Sequence, residues 1–222
     1  MVSITSLALE VADAAAASRF YADAFGAPVP LQFRVSDAPT SGFRGFTISL
    51  TVAQPANVHA LYDAAIAAGA TALKPVAKSL WGHGGTFRAP DGAIWNIATS
   101  AKKDSAPGAR EWEHVVLLLG VDDVAASKRF YTERGMTVGK SFGSYVDFDL
   151  PGSPVGFGLY KRRALAKSAG VPEDGSGSHR LVIAGDLGAA TDPDGFTWEP
   201  VDASVSALTA PPRAAGSVVA GR

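Results

Sequence analysis

The chain of 222 residues contains no cysteine, so disulfides, thiolate metal sites and a cysteine nucleophile are all excluded. No uninterrupted apolar run approaches the length needed to cross a bilayer. Charge of either sign is also in short supply. Twenty basic residues stand against 21 acidic ones, and a net charge of −1 gives no global field for nucleic acid or an anionic membrane. Lys161-Arg162-Arg163 is the lone basic cluster and reads as a solvated strand end or loop. Met1-Val2-Ser3-Ile4 runs straight into a strand pattern without the basic start and apolar stretch of a signal peptide, so a cytoplasmic location is expected. What is present is apolar material: 47% hydrophobic residues with 18% charged ones suit a packed core rather than a disordered chain.

That material is arranged twice. A strand pattern at 4–11 leads into Asp13, a helix pattern ending Phe20-Tyr21, and Gly26. A second strand pattern at 114–121 leads into Asp123, a helix pattern ending Phe130-Tyr131, and Gly135. Asp is a preferred helix N-cap and Gly a preferred stop. A matched pair also closes each half: Pro90-Asp91-Gly92 with Trp95-Asn96, and Pro193-Asp194-Gly195 with Trp198-Glu199. Pro presets φ and Gly supplies the positive φ of the turn, so each launches a final strand carrying a Trp. Two pairs in the same order mark a duplication.

The repeat divides the chain into a first module at 1–101, a linker at 102–112, a second and abbreviated module at 113–201, and an Ala/Pro/Gly-rich tail at 202–222. Further strands are expected at 32–35, 45–52, 136–142, 145–150, 155–160 and 179–185, and a helix at 55–68 with Pro55 in its first turn. The second half lacks a counterpart of that helix. It carries instead a segment at 162–177, helix-like and then Gly/Ser-rich, which reads as a surface excursion or a lid.

Strand, Asp-capped helix ending Phe-Tyr, several strands, then Pro-Asp-Gly-x-x-Trp resembles one module of the glyoxalase/bleomycin-resistance/dioxygenase (vicinal oxygen chelate) superfamily. The resemblance covers residues 4–100 and 113–200. It implies an α+β fold of two tandem βαβββ modules whose curved mixed sheets form a cup, as in the glyoxalase/dihydroxybiphenyl dioxygenase fold. The superfamily spans glyoxalases, dioxygenases and antibiotic-sequestering proteins, so fold alone does not choose a function.

In metal-using relatives each module gives one ligand from its first strand and one carboxylate from its last. The corresponding positions here are Ser6, Val116, Asn96 and Glu199. One carboxylate does not hold a metal, so neither a metal site nor a cofactor is expected. His114 should share a strand face with Val116, which makes a His114–Glu199 acid/base pair conceivable. Each residue also has a bland reading as a solvated strand end.

Further candidates for the pocket are Trp81 and His83 in a Gly-flanked stretch, Arg34 in an early strand, and Tyr145 and Tyr160 in second-half strands. Phe20, Tyr21, Phe130, Tyr131, Trp95 and Trp198 are expected in the core, and His59 and His179 in solvent. Three functions follow: a metal-independent binder of a small aromatic or hydrophobic molecule, an enzyme of the glyoxalase/dioxygenase class using Glu199 with His114, or a module acting in assembly as monomer or homodimer.

Overall fold

The computed structural model describes residues 2–80 and 82–201. The tail at 202–222 and the candidate Trp81 lie outside the described residues. The first half runs β1 (Ile4–Val11), α1 (Ala14–Phe25), β2 (Leu31–Val35), β3 (Ser41–Gly42), β4 (Phe46–Thr51), α2 (Pro55–Ala67), β5 (Thr71–Ser79), β6 (Gly82–Arg88) and β7 (Ile94–Thr99). The second half runs β8 (His114–Val121), α3 (Val124–Thr132), β9 (Thr137–Phe142), β10 (Tyr145–Asp149), β11 (Val155–Lys161), α4 (Arg162–Ala169), β12 (Gly175–Ser176), a 3₁₀ turn (Ser178–Arg180), β13 (Leu181–Gly185), β14 (Ala190–Thr191) and β15 (Thr197–Glu199).

Local chemistry sets the element ends. The Asp13 carboxylate accepts from the Ala16 amide, and Asp123 accepts from those of Ala125 and Ala126, so α1 and α3 begin where the aspartates cap them. Gly26 stops α1 at φ 69°, a left-handed conformation that glycine adopts without steric cost. His179 does not open a strand as expected. It sits exposed in the 3₁₀ turn, and β13 starts at Leu181.

The βαβββ unit occurs complete twice in tandem, as β4–α2–β5–β6–β7 and as β8–α3–β9–β10–β11. In each, the last strand returns to lie parallel to the first: β7 on β4 and β11 on β8. The two first strands then pair antiparallel from Phe46↔Leu119 to Thr51↔His114. This seam makes one eight-stranded sheet, β5-β6-β7-β4-β8-β11-β10-β9.

The outer pieces follow the same plan with parts missing. β2 lies parallel to β1, β15 parallel to β13, and β1 pairs antiparallel with β13. Their sheet has five strands, β14-β15-β13-β1-β2. Each half of the duplication thus supplies one complete unit and one incomplete one, and both sheets draw on both halves.

The repeated motifs hold the sheets together. The Tyr21 hydroxyl on α1 donates to Asp91 Oδ2 at 2.8 Å and accepts from Trp95 Nε1 at 3.1 Å. The Tyr131 hydroxyl on α3 donates to Asp192 Oδ2 at 2.7 Å and accepts from Trp198 Nε1 at 3.3 Å. The helix that follows a strand of one sheet is therefore tied to the Trp-bearing strand of the other, once in each half. Tyr21, Tyr131, Trp95 and Trp198 are all buried, as the sequence predicts.

The linker is also fixed in place. The Gln54 amide oxygen accepts from the amides of Ser105 and Ala106, and its nitrogen donates to the carbonyls of Ala106 and Pro107. Asn57 accepts from the Ala109 amide. These bonds lay residues 104–109 against the start of α2, directly before β8 joins β4.

Tyr131→Phe should cost about 1–3 kcal/mol in denaturant unfolding, because Asp192 Oδ2 and Trp198 Nε1 lose a partner in a buried setting. Unchanged stability would mean the brace contributes nothing.

Candidate functional site

Alternation along the strands assigns a face to every candidate. In the eight-stranded sheet, Ile48, Trp95, Leu117 and Phe157 point into the core under the helices. Their neighbours Ser49, Asn96, Val116 and Gly156 therefore point to the opposite face, the cup. They form one row across four strands: Asn96 is level with Ser49, Ser49 with Val116, and Val116 with Gly156. Thr86 extends the row on β6, level with Asn96, and its hydroxyl donates to Asn96 Oδ1 at 3.4 Å. Ser49 and Thr86 are nearly fully buried. His114 lies on the same face, level with Thr51, and is exposed.

One arm of the cup is aromatic. Tyr145 and Tyr160 are level with each other on β10 and β11, their ring centroids 5.5 Å apart. Burial, reinforced by the neighbouring Asp147, raises the Tyr145 phenol above its ordinary value. Gly158 stands on β11 between Tyr160 and the floor residue Gly156, and a Cβ there would sit 2.9 Å from Leu118 Cδ2. Glycine is what lets Leu118 and the tyrosine rings occupy that part of the cup.

The end of the cup is filled by the segment at 162–177. α4 lays Leu165, Ala166 and Ala169 against Phe43 and Ile94, with Leu73, Leu118 and Tyr160 around them, an apolar cluster separate from the main core. Lys74 Nζ donates to the carbonyls of Lys167 at 2.8 Å and Ser168 at 2.6 Å, capping the C-terminal end of the helix with a cation. Arg162 anchors the other end through the carbonyls of Phe43, Glu173 and Gly175.

Ser6, Arg34 and Glu199 belong to the other sheet. Leu7, Leu9, Ile183 and Trp198 point into the core, so Ser6, Ala184 and Glu199 share the cup face of the five-stranded sheet. Gln32 Nε2 donates to Ser6 Oγ at 3.1 Å. Arg34 makes a two-pronged contact with Glu199, Nη1 to Oε1 at 3.0 Å and Nη2 to Oε2 at 2.7 Å. Between β2 and β15 stand β1 and β13, three inter-strand steps or roughly 14 Å in a flat sheet. The two long side chains meet across that span on the cup face of the sheet. Their bridge crosses β1, whose cup-face residues Ser6 and Ala8 are buried.

The candidates thus fall into two groups. Val116, Asn96, Tyr145, Tyr160 and His114 share the eight-stranded cup, while Ser6, Arg34 and Glu199 share the five-stranded one. His114 and Glu199 are not brought together as an acid/base pair: they stand on different sheets, and Glu199 is engaged by Arg34. His83 is on the helix side of β6, with Phe87, and so does not face the cup; its Nδ1 is buried. Ser49 and Thr86 are cup residues that sequence reasoning missed. The Ser49 signal was available as an alternating Thr47-x-Ser49-x-Thr51 run within an apolar strand.

The metal that the resemblance implies for metal-using relatives does not fit these residues. Ser49, Asn96, Val116 and Gly156 offer neither imidazole nor carboxylate, and the five-stranded cup offers one carboxylate, already held by a guanidinium. Among the described residues, no group of three or more His, Cys, Asp or Glu side chains could hold an ion.

The hydrogen bonds from Arg34 hold the Glu199 carboxyl below its ordinary pKa. A depressed folded-state pKa stabilises the protein above the unfolded carboxylate value, and that gain is lost as pH falls through the folded value. Both side chains are about 40% exposed (41% and 39%), so the contribution is that of a screened surface pair, about 0.5 kcal/mol. Wild type should exceed Glu199→Gln by that amount in urea unfolding at neutral pH and converge with it in acid. An equal gap at both pH values would rule out the ion pair as its source.

In sequence the chain matches no protein-family model and no curated protein. In structure it is similar to glyoxalase I from Zea mays, with a TM-score of 0.58 at 14% identity, covering 94% of this chain and 95% of that one. A variant of the same maize protein gives a TM-score of 0.60 at 13% identity, covering 94% of this chain and 96% of that one. These likenesses, together with two complete βαβββ units joined through their first strands, establish that the chain has the fold of the glyoxalase/bleomycin-resistance/dioxygenase (vicinal oxygen chelate) superfamily.

Proposed function

We propose that the protein binds a small, largely apolar or aromatic molecule in the eight-stranded cup and needs no metal to do so. The observation that carries this reading is the row Thr86–Asn96–Ser49–Val116–Gly156 across the cup floor. It combines neutral hydrogen-bonding groups with apolar ones and contains no formal charge. Ligand sites of this kind are mostly apolar, with a few polar groups that fix orientation.

The walls support the same ligand class. Tyr145 and Tyr160 present ring surface on one arm, and the apolar face of α4 closes one end. A planar ring would stack against the tyrosines while its carbonyl or hydroxyl met Asn96 or Ser49. The five-stranded cup supports no second equivalent site, because Arg34 and Glu199 already span it. One ligand per chain is therefore expected. The enzyme reading that joined Glu199 to His114 loses its geometric premise, since the two residues belong to different sheets.

Calorimetric titration with a panel of planar aromatic compounds should find ligands that bind once per chain and are indifferent to chelator and to Glu199→Gln. Val116→Glu puts a carboxylate in the floor without touching the core. It should weaken those ligands by about tenfold or more. Binding that survives this variant, or that chelator abolishes, refutes the proposal.

A further inference from the structure

Apart from the two-residue strands β3 and β12, which pair only with each other, the two large sheets have four edge strands among the described residues: β5 and β9 in the eight-stranded sheet, β14 and β2 in the five-stranded one. Unpaired edges invite further strands, and proteins usually blunt them with proline, lysine, bulges or brevity. β5 carries Lys74, Pro75 and Lys78 and shifts register twice against β6. β9 carries Lys140 and shifts register against β10. β14 is two residues long. β2, Leu31-Gln32-Phe33-Arg34-Val35, has none of these devices and pairs with β1 without a shift. Val35 at its end is 74% exposed, one of three large hydrophobic residues so placed among the described residues.

The internal repeat shows what belongs beside such an edge. β2 is to β1 what β11 is to β8, a strand returning parallel to the first of its unit. Along the outer side of β11 runs β10, antiparallel, and it places Phe148 with its ring centroid 5.6 Å from that of Tyr131 on α3. The first unit has lost the strands that would do the same for Tyr21. In their place, a cavity of about 380 Å³ runs between α1 and β2, lined by Ser18, Tyr21, Ala22, Val29, Leu31 and Phe33. The place calls for an antiparallel strand with apolar residues at alternate positions.

β2 meets that requirement itself. Phe33 stacks on Tyr21 with ring planes 9° apart, so Leu31, Phe33 and Val35 alternate onto the helix side. Arg34 turns the other way and is engaged by Glu199, so no charge obstructs the edge. Leu7 N donates to the Pro30 carbonyl and Ser36 N to that of Val11. This phase points the amides and carbonyls of Phe33 and Val35 outward. We infer that β2 is a self-pairing edge: two copies of the chain join antiparallel about Phe33, each supplying the strand the other lacks, in a two-fold symmetric interface.

Light scattering and sedimentation of the full chain should give twice the 22.8 kDa monomer mass. Val35→Lys, and separately Ser18→Arg, which fills the groove, should shift it to monomer with an unchanged circular dichroism spectrum. Hydrogen exchange at the Phe33 and Val35 amides should slow as protein concentration rises. A monomer at every concentration, or a dimer indifferent to both variants, overturns the inference. It is equally overturned by a monomer whose Phe33 and Val35 amides stay protected until residues 202–222 are removed, because the chain's own C-terminal segment would then hold the edge.

Discussion

Two buried braces, each a tyrosine hydroxyl between a carboxylate and an indole nitrogen, determine how this molecule is assembled. Tyr21 reaches from α1 to Asp91 and Trp95, and Tyr131 from α3 to Asp192 and Trp198. Burial, with the adjacent carboxylate, pushes both phenols well above their ordinary pKa, so each hydroxyl keeps its proton and remains a donor. Because every brace links a helix of one sheet to a strand of the other, the core is common to both halves. The two braces differ in one detail. Asp91 comes from the Pro-Asp-Gly turn itself, whereas in the second half the partner is Asp192, one residue ahead of the proline. Asp194, in the turn position, instead accepts from the Asp122 amide and the Ser127 hydroxyl.

The braces leave the two cups free to diverge, and they have diverged oppositely. The units that meet at the β4–β8 seam are complete, and their sheet presents a row of uncharged residues beside a tyrosine pair. The outer units have lost strands and a helix, and Arg34 and Glu199 bridge their smaller sheet. A cup spanned by its own ion pair has little room for a ligand. The strands missing from the first outer unit leave β2 at the edge of its sheet among the described residues.

Much of this was legible in the residues. Asp13, Asp123 and the Phe-Tyr helix ends announced capped helices, and the paired Pro-Asp-Gly-x-x-Trp turns announced the duplication, because capping and turn chemistry act over a few residues. The site was legible only in part. Counting back from Asp123 picked out Val116, which does stand in the cup floor beside Asn96 by way of Ser49. The same counting from Asp13 picked out Ser6, which stands with Glu199 in the other sheet. His83 was placed by its glycine neighbours, and strand parity then turned it to the helix side.

The sequence by itself determined the local elements, the duplication, the absence of thiol chemistry and the scarcity of metal-ligating side chains at the expected positions. Tertiary structure decided which strands became neighbours. β4 could have closed against β1 within its own half, and the local patterns of the strands are compatible with either partner. Hydrogen bonding between strands is not sequence-specific, so the choice fell to long-range packing: the linker stitched to Gln54 and Asn57, and the helices braced across the sheets. That choice separated His114 from Glu199 and joined Glu199 to Arg34, 165 residues away along the chain.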